Sequence, residues 1–282
     1  MRNDWRASPL TSIGEFKMKA TVFLGGGRIT GALVAGLRLA GNRQTIVVYD
    51  RHVEKLRALR RESRVEMARD LKSAVERAEM LILAVRPASV MQMLDEVAGC
   101  GAAPPKLCIS LAAGIPLRNL RARLGPSIHW ARAMPSPVCR IGRGLTPVSF
   151  DRSVTKAERI RVQRMFEQVG PVLELPDRQM DAITATHSPS HGYHALATLA
   201  KAAERAGLDP AIALTAAAHA LGDAIFYWRE SGVSLVDLLQ EAATPGGIAA
   251  ATISAMDEAG YSRVVERGIH AGIRQARRNA KR

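Results

Sequence analysis

Aromatic residues are scarce in this chain: five Phe, three Trp and four Tyr make up 4% of 282 residues. Proteins that hold single-stranded nucleic acid stack its bases on such side chains, so the low share argues against that class of partner. Cysteine is scarcer still. Cys100, Cys108 and Cys139 are odd in number and show no paired metal spacing. A disulfide framework and a cysteine-based zinc site are excluded on that pattern, and a reducing cytoplasm is the expected location. No unbroken run of about eighteen apolar residues occurs, so no membrane-spanning helix and no membrane partner are expected. The opening MRNDWRASPLTSIGEFK lacks the apolar centre of a signal peptide. Met18 stands directly before the first strand-like run. Translation is expected to begin there, which leaves residues 1–17 as a disordered leader.

Positive charge is abundant. Forty Lys and Arg face 26 Asp and Glu, for a formal net charge of +14. The arginines are spread along the chain, and their densest cluster, Arg274 to Arg282, is a terminal tail. Dispersed charge reads as a solvated surface rather than a nucleic-acid stripe, so no nucleic-acid partner is expected. A positive field does raise the local concentration of anionic substrates and cofactors.

Apolar periodicity divides the chain in two. Thr21–Leu24, Gln44–Tyr49, Ala78–Val85 and Lys106–Leu111 are short apolar runs, with helical patterns at Ile29–Leu39 and Val53–Arg64 between them. Strands alternating with helices imply a parallel sheet with right-handed crossovers. From Lys156 onward the chain reads as helices: Lys156–Val169, Tyr193–Ala206, Pro210–Ser231, Leu235–Ala242, Ala249–Ala259 and Tyr261 to the end. Dense alanine favours helix there. The expected fold is therefore α/β, a Rossmann-type parallel sheet domain over 18–170 followed by an all-helical domain over 171–282, which analogy with other chains so divided makes a candidate dimerisation domain.

The strongest motif lies after the first strand. Leu24-Gly-Gly-Gly-Arg-Ile-Thr-Gly31 opens the first helix. Gly25 suits a tight turn, Gly27 lets the backbone approach a pyrophosphate, and the amides of Arg28 and Ile29 begin a helix that attracts an anion. The third glycine of the usual pattern is Thr30, with Gly31 one place late. Asp50 ends the second strand, where a carboxylate bonds a ribose 2′-hydroxyl; Arg51 beside it suits a 2′-phosphate. A carboxylate repels that phosphate, so the expected cofactor is NAD(P)H with a slight lean to NADH. Small or apolar residues at strand carboxyl ends, Ala84, Val85, Ala112 and Gly114, complete the expected cofactor edge.

Further stretches carry a resemblance. Ala84-Val-Arg-Pro87, Ser110-Leu-Ala-Ala-Gly-Ile115, Arg132-Ala-Met-Pro135 leading to Gly142-Arg-Gly-Leu-Thr146, Asp181-Ala-Ile-Thr-Ala185 and Ala243-Thr-Pro-Gly-Gly247 with Glu258-Ala-Gly-Tyr261 stand in one register. In that order the chain resembles the pyrroline-5-carboxylate reductase family, from about Lys19 to Arg278. The resemblance implies reduction of a cyclic imine to L-proline, as in proline biosynthesis, with NAD(P)H, by a homo-oligomer that is at least a dimer through its helical domain. It assigns Arg86 and Pro87 to the cofactor edge, and Met134, Pro135, Ser136 and Thr244 to the substrate pocket. It also marks departures. The family's Met-Pro-Asn-Thr-Pro reads Met134-Pro-Ser-Pro-Val138, and its Pro-Gly-Gly-Thr-Thr reads Pro245-Gly-Gly-Ile-Ala249. Where the family continues Leu-Ser-Gly-Ser-Gly-Pro-Ala-Tyr, this chain has Thr186-His-Ser-Pro-Ser-His-Gly-Tyr193.

The candidate chemistry follows from these residues. The amides of Gly246, Gly247 and Ile248 open a helix and suit an anionic substrate group, while Ile248 makes the pocket more apolar. His187 is a candidate proton donor, with capping of the helix near Pro189 as the alternative; Ser188 and Ser190 are candidate caps too. Tyr193 aligns with the family tyrosine and suits orientation more than acid catalysis. His191 and His194 share a helix face, but zinc needs further ligands that the spacing does not provide, so no metal is expected. Two alternatives stand beside the imine reductase. One is a β-hydroxyacid dehydrogenase, whose family lysine has only Lys201, after a different motif, as its counterpart. The other is a diverged cofactor-binding paralogue without reductase activity.

Overall fold

The structure, a computed structural model, describes residues 19–280. The expected leader at 1–17 and the proposed start at Met18 lie outside the described residues. The first half comprises β1 (Ala20–Leu24), α1 (Arg28–Leu39), β2 (Ile46–Tyr49), α2 (Val53–Ser63), β3 (Glu66–Met67), α3 (Leu71–Arg77), β4 (Ala78–Leu83), α4 (Val90–Gly99), β5 (Leu107–Ser110), α5 (Leu117–Leu124), β6 (His129–Ala133), β7 (Thr146–Phe150), α6 (Lys156–Glu167) and β8 (Val172–Glu174). The rest is helical: α7 (Met180–Thr186), α8 (Ser190–Arg205), α9 (Pro210–Ser231), α10 (Leu235–Ala242), α11 (Ile248–Glu258) and α12 (Tyr261–Asn279).

The strands form one sheet in the order β3-β2-β1-β4-β5-β6-β7-β8, parallel except for the β6–β7 pair. Strands alternate their side chains between faces. On β1, Phe23 faces a core with Leu33, Leu37 and Phe166, while Val22 and Leu24 face a second core with Leu81, Leu94 and Trp130. Both faces being covered explains the near-continuous apolar runs. Helix α1 lies close to the 3₁₀ turn Pro137–Ile141, because Gly36 offers no side chain: a Cβ there would stand 2.0 Å from the Cys139 carbonyl oxygen. Gly36→Ala is therefore expected to cost about 2 kcal/mol of unfolding free energy, the usual penalty of overpacking, read from urea denaturation, despite alanine's better helix propensity.

The structure corrects the sequence reading in several places. The segment after Lys156 is not helical throughout, since β8 extends the sheet to Glu174, past the expected boundary at residue 170. Strands β3, β6 and β7 and helices α3, α4, α5 and α7 were not anticipated. β3 is two residues long, β7 contains Pro147, and β6 carries His129 and Arg132. The helix expected from Tyr193 begins at Ser190. Helix α9 is also long and apolar enough to cross a membrane by length and composition, although polar residues interrupt its apolar run.

The helical half buries little of itself. Helices α8 and α9 pack together, yet α9 buries only Ala213 and Ala217, and α10 and α11 bury no residue. Phe226, Tyr227, Trp228, Leu235 and Val236 are all exposed. Helix α12 runs back along α7 to the sheet, where Asn279 Nδ2 donates to the Ala113 carbonyl at 3.4 Å and Asn119 Nδ2 donates to that of Ala280 at 3.2 Å.

Candidate active site

Strand order reverses between β1 and β4, and open α/β sheets bind ligands at such a switch point. The chain leaves β1 through Gly25, whose φ is +114° and whose amide donates to the Tyr49 carbonyl at 2.7 Å. A Cβ on Gly25 would stand 2.7 Å from the Ala84 carbonyl oxygen, so only glycine fits. Gly27 has open space where a side chain would be, and it precedes α1 without any side-chain cap. The first α1 amides, those of Arg28 and Ile29, are left for an anion. Thr30 accounts for the broken glycine pattern: its hydroxyl is buried and donates to the Gly25 carbonyl at 2.6 Å. The hydroxyl locks the turn, a role the sequence reading did not give it, though its place in the pattern marked it.

Asp50 ties the loop to the end of β2. Its Oδ2 accepts from the Gly26 amide at 2.8 Å, and its Oδ1 accepts from the His52 amide at 2.8 Å and lies 3.0 Å from His52 Nδ1. Partial burial pushes the Asp50 carboxyl up. The amides of His52 and Gly26, the His52 ring and the Lys55 charge outweigh it, so the group is held below the usual carboxylate range. Arg51 is paired with Glu96 of α4. Ala84 and Val85 follow β4, and Arg86 precedes a 3₁₀ turn that Pro87 opens. Ala112 and Gly114 follow β5; a Cβ on Gly114 would lie 2.1 Å from the Ala276 carbonyl oxygen of α12. Gly25, Gly27, Arg28, Ile29, Asp50, Arg51, Ala84, Val85, Arg86, Pro87, Ala112 and Gly114 thus all lie at the carboxyl ends of four neighbouring strands. An uncapped helix start, a cradle without Cβ and an ionised carboxylate fit a dinucleotide.

Met134, Pro135 and Ser136 follow β6 and are buried. The Ser136 hydroxyl accepts from the Val138 amide at 3.4 Å and caps the next turn. His187 ends α7, with Nδ1 2.8 Å from the Ile183 carbonyl and Nε2 2.8 Å from the Met134 carbonyl. Both ring nitrogens therefore face backbone acceptors, and the side chain braces α7 against the end of β6. The expected cap of the next helix is not what it makes; Ser188 Oγ instead accepts from the Ser190 amide at 3.4 Å. His191 Nε2 lies 2.6 Å from the Ala185 carbonyl. No group of three His, Cys, Asp or Glu able to hold a metal occurs among the described residues.

The other expected substrate residues lie largely on exposed surface. Tyr193 is 67% exposed and Ile248 89% exposed. Gly246, at φ +78°, has nothing within 4 Å of a Cβ position, and Gly247 precedes α11 without a side-chain cap. Thr244 accepts at its carbonyl from the Gly247 amide at 2.9 Å. Lys201 is exposed and donates to Glu204 Oε2 at 2.6 Å.

Sequence reasoning missed Arg132. Its side chain is 2% exposed, Nη1 donates to Asp177 Oδ1 at 2.6 Å, and Nη2 lies 3.5 Å from Asp181 Oδ1. Asp177 Oδ2 also accepts from the Leu117 amide at 3.1 Å. One guanidinium thus joins the sheet to the start of the helical half. An arginine inside an alanine-rich strand, followed by two aspartates at the helical boundary, was the available signal.

Comparison with known proteins agrees with this division. Residues 21–114 match the family described as NADP oxidoreductase, coenzyme F420-dependent, and residues 177–279 match pyrroline-5-carboxylate reductase dimerisation. The chain is 29% identical over 248 residues to a pyrroline-5-carboxylate reductase of Corynebacterium melassecola, covering 86% of this chain and 92% of the relative. It is 28% identical over 281 residues to that of Mycobacterium tuberculosis, covering 91% and 95%. Among solved structures, the Coxiella burnetii pyrroline-5-carboxylate reductase superposes with a TM-score of 0.83 at 24% identity, over 94% of this chain and 100% of that one. The Plasmodium falciparum enzyme, solved with NADP bound, gives 0.82 at 18% identity, over 94% and 99%. At these identities the structural likenesses establish the fold.

Proposed function

The chain belongs to the pyrroline-5-carboxylate reductase family, and on that premise we propose that it reduces a cyclic imine of the pyrroline-5-carboxylate type to the saturated amine, L-proline. The observation that carries the reading is the Gly25–Thr30 turn, locked at φ +114° beside an uncapped α1, on a chain whose second half matches that family's dimerisation domain. A bound nicotinamide cofactor supplies hydride for the imine carbon, and the nitrogen ends with the proton. The protein has to hold the two partners in contact and keep bulk water out. Gly25, Gly27, Arg28 and Ile29 hold the pyrophosphate, Asp50 the adenosine ribose, and the backbone from Ala84 to Pro87 and from Ala112 to Gly114 the nicotinamide side. Met134, Pro135 and Ser136 form one substrate wall, braced by His187. Thr244 and the amides of Gly246, Gly247 and Ile248, with Tyr193, form the other.

That second wall is completed by another copy of the chain. The exposed apolar run Phe226–Trp228 and the 89% exposure of Ile248 support an obligate homodimer, at least, built through the helices. The division into a cofactor domain to about residue 170 and a helical domain after it rests on the same contrast. Three free cysteines support a reducing, cytoplasmic setting. NADH is the favoured cofactor, because the Asp50 carboxylate stays ionised and Arg51 is engaged by Glu96. Removing one charge repulsion at about 4 Å is worth about 1 kcal/mol even in water. Asp50→Asn is therefore expected to raise the NADPH-to-NADH ratio of kcat/KM by about fivefold, measured by initial rates with each cofactor; an unchanged ratio removes the role of Asp50.

His187 positions rather than protonates, since each ring nitrogen lies 2.8 Å from a backbone carbonyl and the ring N–H is turned to the backbone whichever nitrogen carries it. A lost general acid costs about 100-fold or more in rate. His187→Ala is expected to keep kcat within about tenfold while KM rises; a larger fall in kcat restores the proton-donor reading. The function itself is tested by oxidation of NADH or NADPH with a panel of cyclic imines. Turnover with none of them, alongside tight cofactor binding, contradicts it and favours the paralogue without reductase activity.

A further inference from the structure

A second charged hollow lies away from the cofactor edge. It is a groove of about 500 Å³ between α5, the end of β7 and the turn that follows β8. Four arginines from three separate elements line it: Arg118 and Arg121 from α5, Arg152 after β7, and Arg178 after β8. Two aspartates share the lining, but both are already engaged. Asp151 takes Arg121 Nη1 at 3.2 and 3.3 Å on its two oxygens and the Arg152 amide at 2.8 Å. Asp177 takes the buried Arg132 at 2.6 Å and the Leu117 amide at 3.1 Å. Among the described residues, the guanidiniums of Arg118, Arg152 and Arg178 form no ion pair.

Three arginines without an ion pair thus line one hollow and are available to an anion. Another basic hollow, beside Met67, takes Arg57, Arg60 and Arg61 from α2 alone. An arginine-rich helix gives that spacing by itself, and Arg57 there is paired with Glu54. The α5 groove differs because its cations are far apart in sequence and meet only through the fold. Planar guanidiniums match phosphate oxygens with paired hydrogen bonds, and the volume lies in the range of small-molecule sites. Phe150 and Pro176 also line the groove.

We propose that this groove is a binding site for a multivalent phosphate anion, separate from the dinucleotide site. Arg118 from α5, Arg152 after β7 and Arg178 after β8 supply the cations for it. The proposal stands apart from imine reduction, because its readout is binding.

Isothermal titration with inorganic pyrophosphate tests it, on full-length protein saturated with NADPH so that the Gly25–Thr30 loop is occupied. Wild type is expected to bind one pyrophosphate per chain, with affinity falling as salt rises. Losing two charge-assisted contacts is expected to weaken binding by about 100-fold in Arg118→Ala/Arg178→Ala. Both side chains are exposed and unpaired, so this variant keeps its fold and its imine reductase rate. Arg178→Lys, which keeps charge and loses the fork, is expected to fall between. An ATP arm separates sources: affinity equal to pyrophosphate means the phosphates alone are read, and tighter binding means that the base adds contact with Phe150. Binding that disappears once cofactor is present, or that the double variant leaves unchanged, overturns the site.

Discussion

Gly25→Val is expected to abolish dinucleotide binding and, with it, turnover. Two constraints meet at this residue. Its φ of +114° lies where residues with a side chain are strained, and a Cβ would stand 2.7 Å from the Ala84 carbonyl oxygen. Neither strand can move aside, because the Gly25 amide is bonded to Tyr49 on β2 and the Ala84 amide to Leu24 on β1. The loop must therefore swing out toward the uncapped start of α1, where the pyrophosphate would sit. We expect at least a 100-fold weaker cofactor affinity by fluorescence titration and a stability loss of about 2 kcal/mol. Gly27→Ala separates the two effects. Its φ of −77° accepts alanine, and nothing lies within 4 Å of the added Cβ. The fold should keep its stability while cofactor binding weakens. Equal binding by wild type and Gly25→Val would place the cofactor elsewhere.

Arg132→Leu has the second large effect. This side chain is 2% exposed and answers both Asp177 and Asp181. Removing one member of a buried ion cluster strands the others, at a cost of about 3–5 kcal/mol. The two aspartates are each 27% exposed, so water screens them and the lower end, about 3 kcal/mol, is expected in urea denaturation. The triple variant Arg132→Leu/Asp177→Asn/Asp181→Asn should recover much of that loss, because no charge is left unanswered. The enzyme should respond too. Asp181 sits on α7, and α7 presents His187 to the Met134 carbonyl. A loosened α7 is expected to raise the imine KM more than it lowers kcat. A loss below about 1 kcal/mol would mean that the guanidinium is not the joint between sheet and helices.

Particular residues show what the sequence could reveal. The four strands beside the cofactor were legible because helices cover both faces, which leaves apolar runs such as Met80–Leu83 unbroken. β6 was not, because Arg132 reads as surface charge until its partners, 45 residues away at Asp177, are known. The glycine loop was legible in type, while Thr30 looked like a defect; only the structure pairs its hydroxyl with Gly25. His187 drew attention as a titratable group. Its partners are backbone carbonyls, which carry no mark in sequence, so its bracing role was hidden. Ile248 and Tyr193 were placed by resemblance alone, and in the single chain both are exposed.

The central claim is most directly tested by following cofactor absorbance in purified protein given pyrroline-5-carboxylate and NADH or NADPH, with L-proline quantified at the end point. Wild type is expected to convert imine to proline stoichiometrically, and Gly25→Val to form none. Cofactor that binds wild type with no proline formed would contradict it.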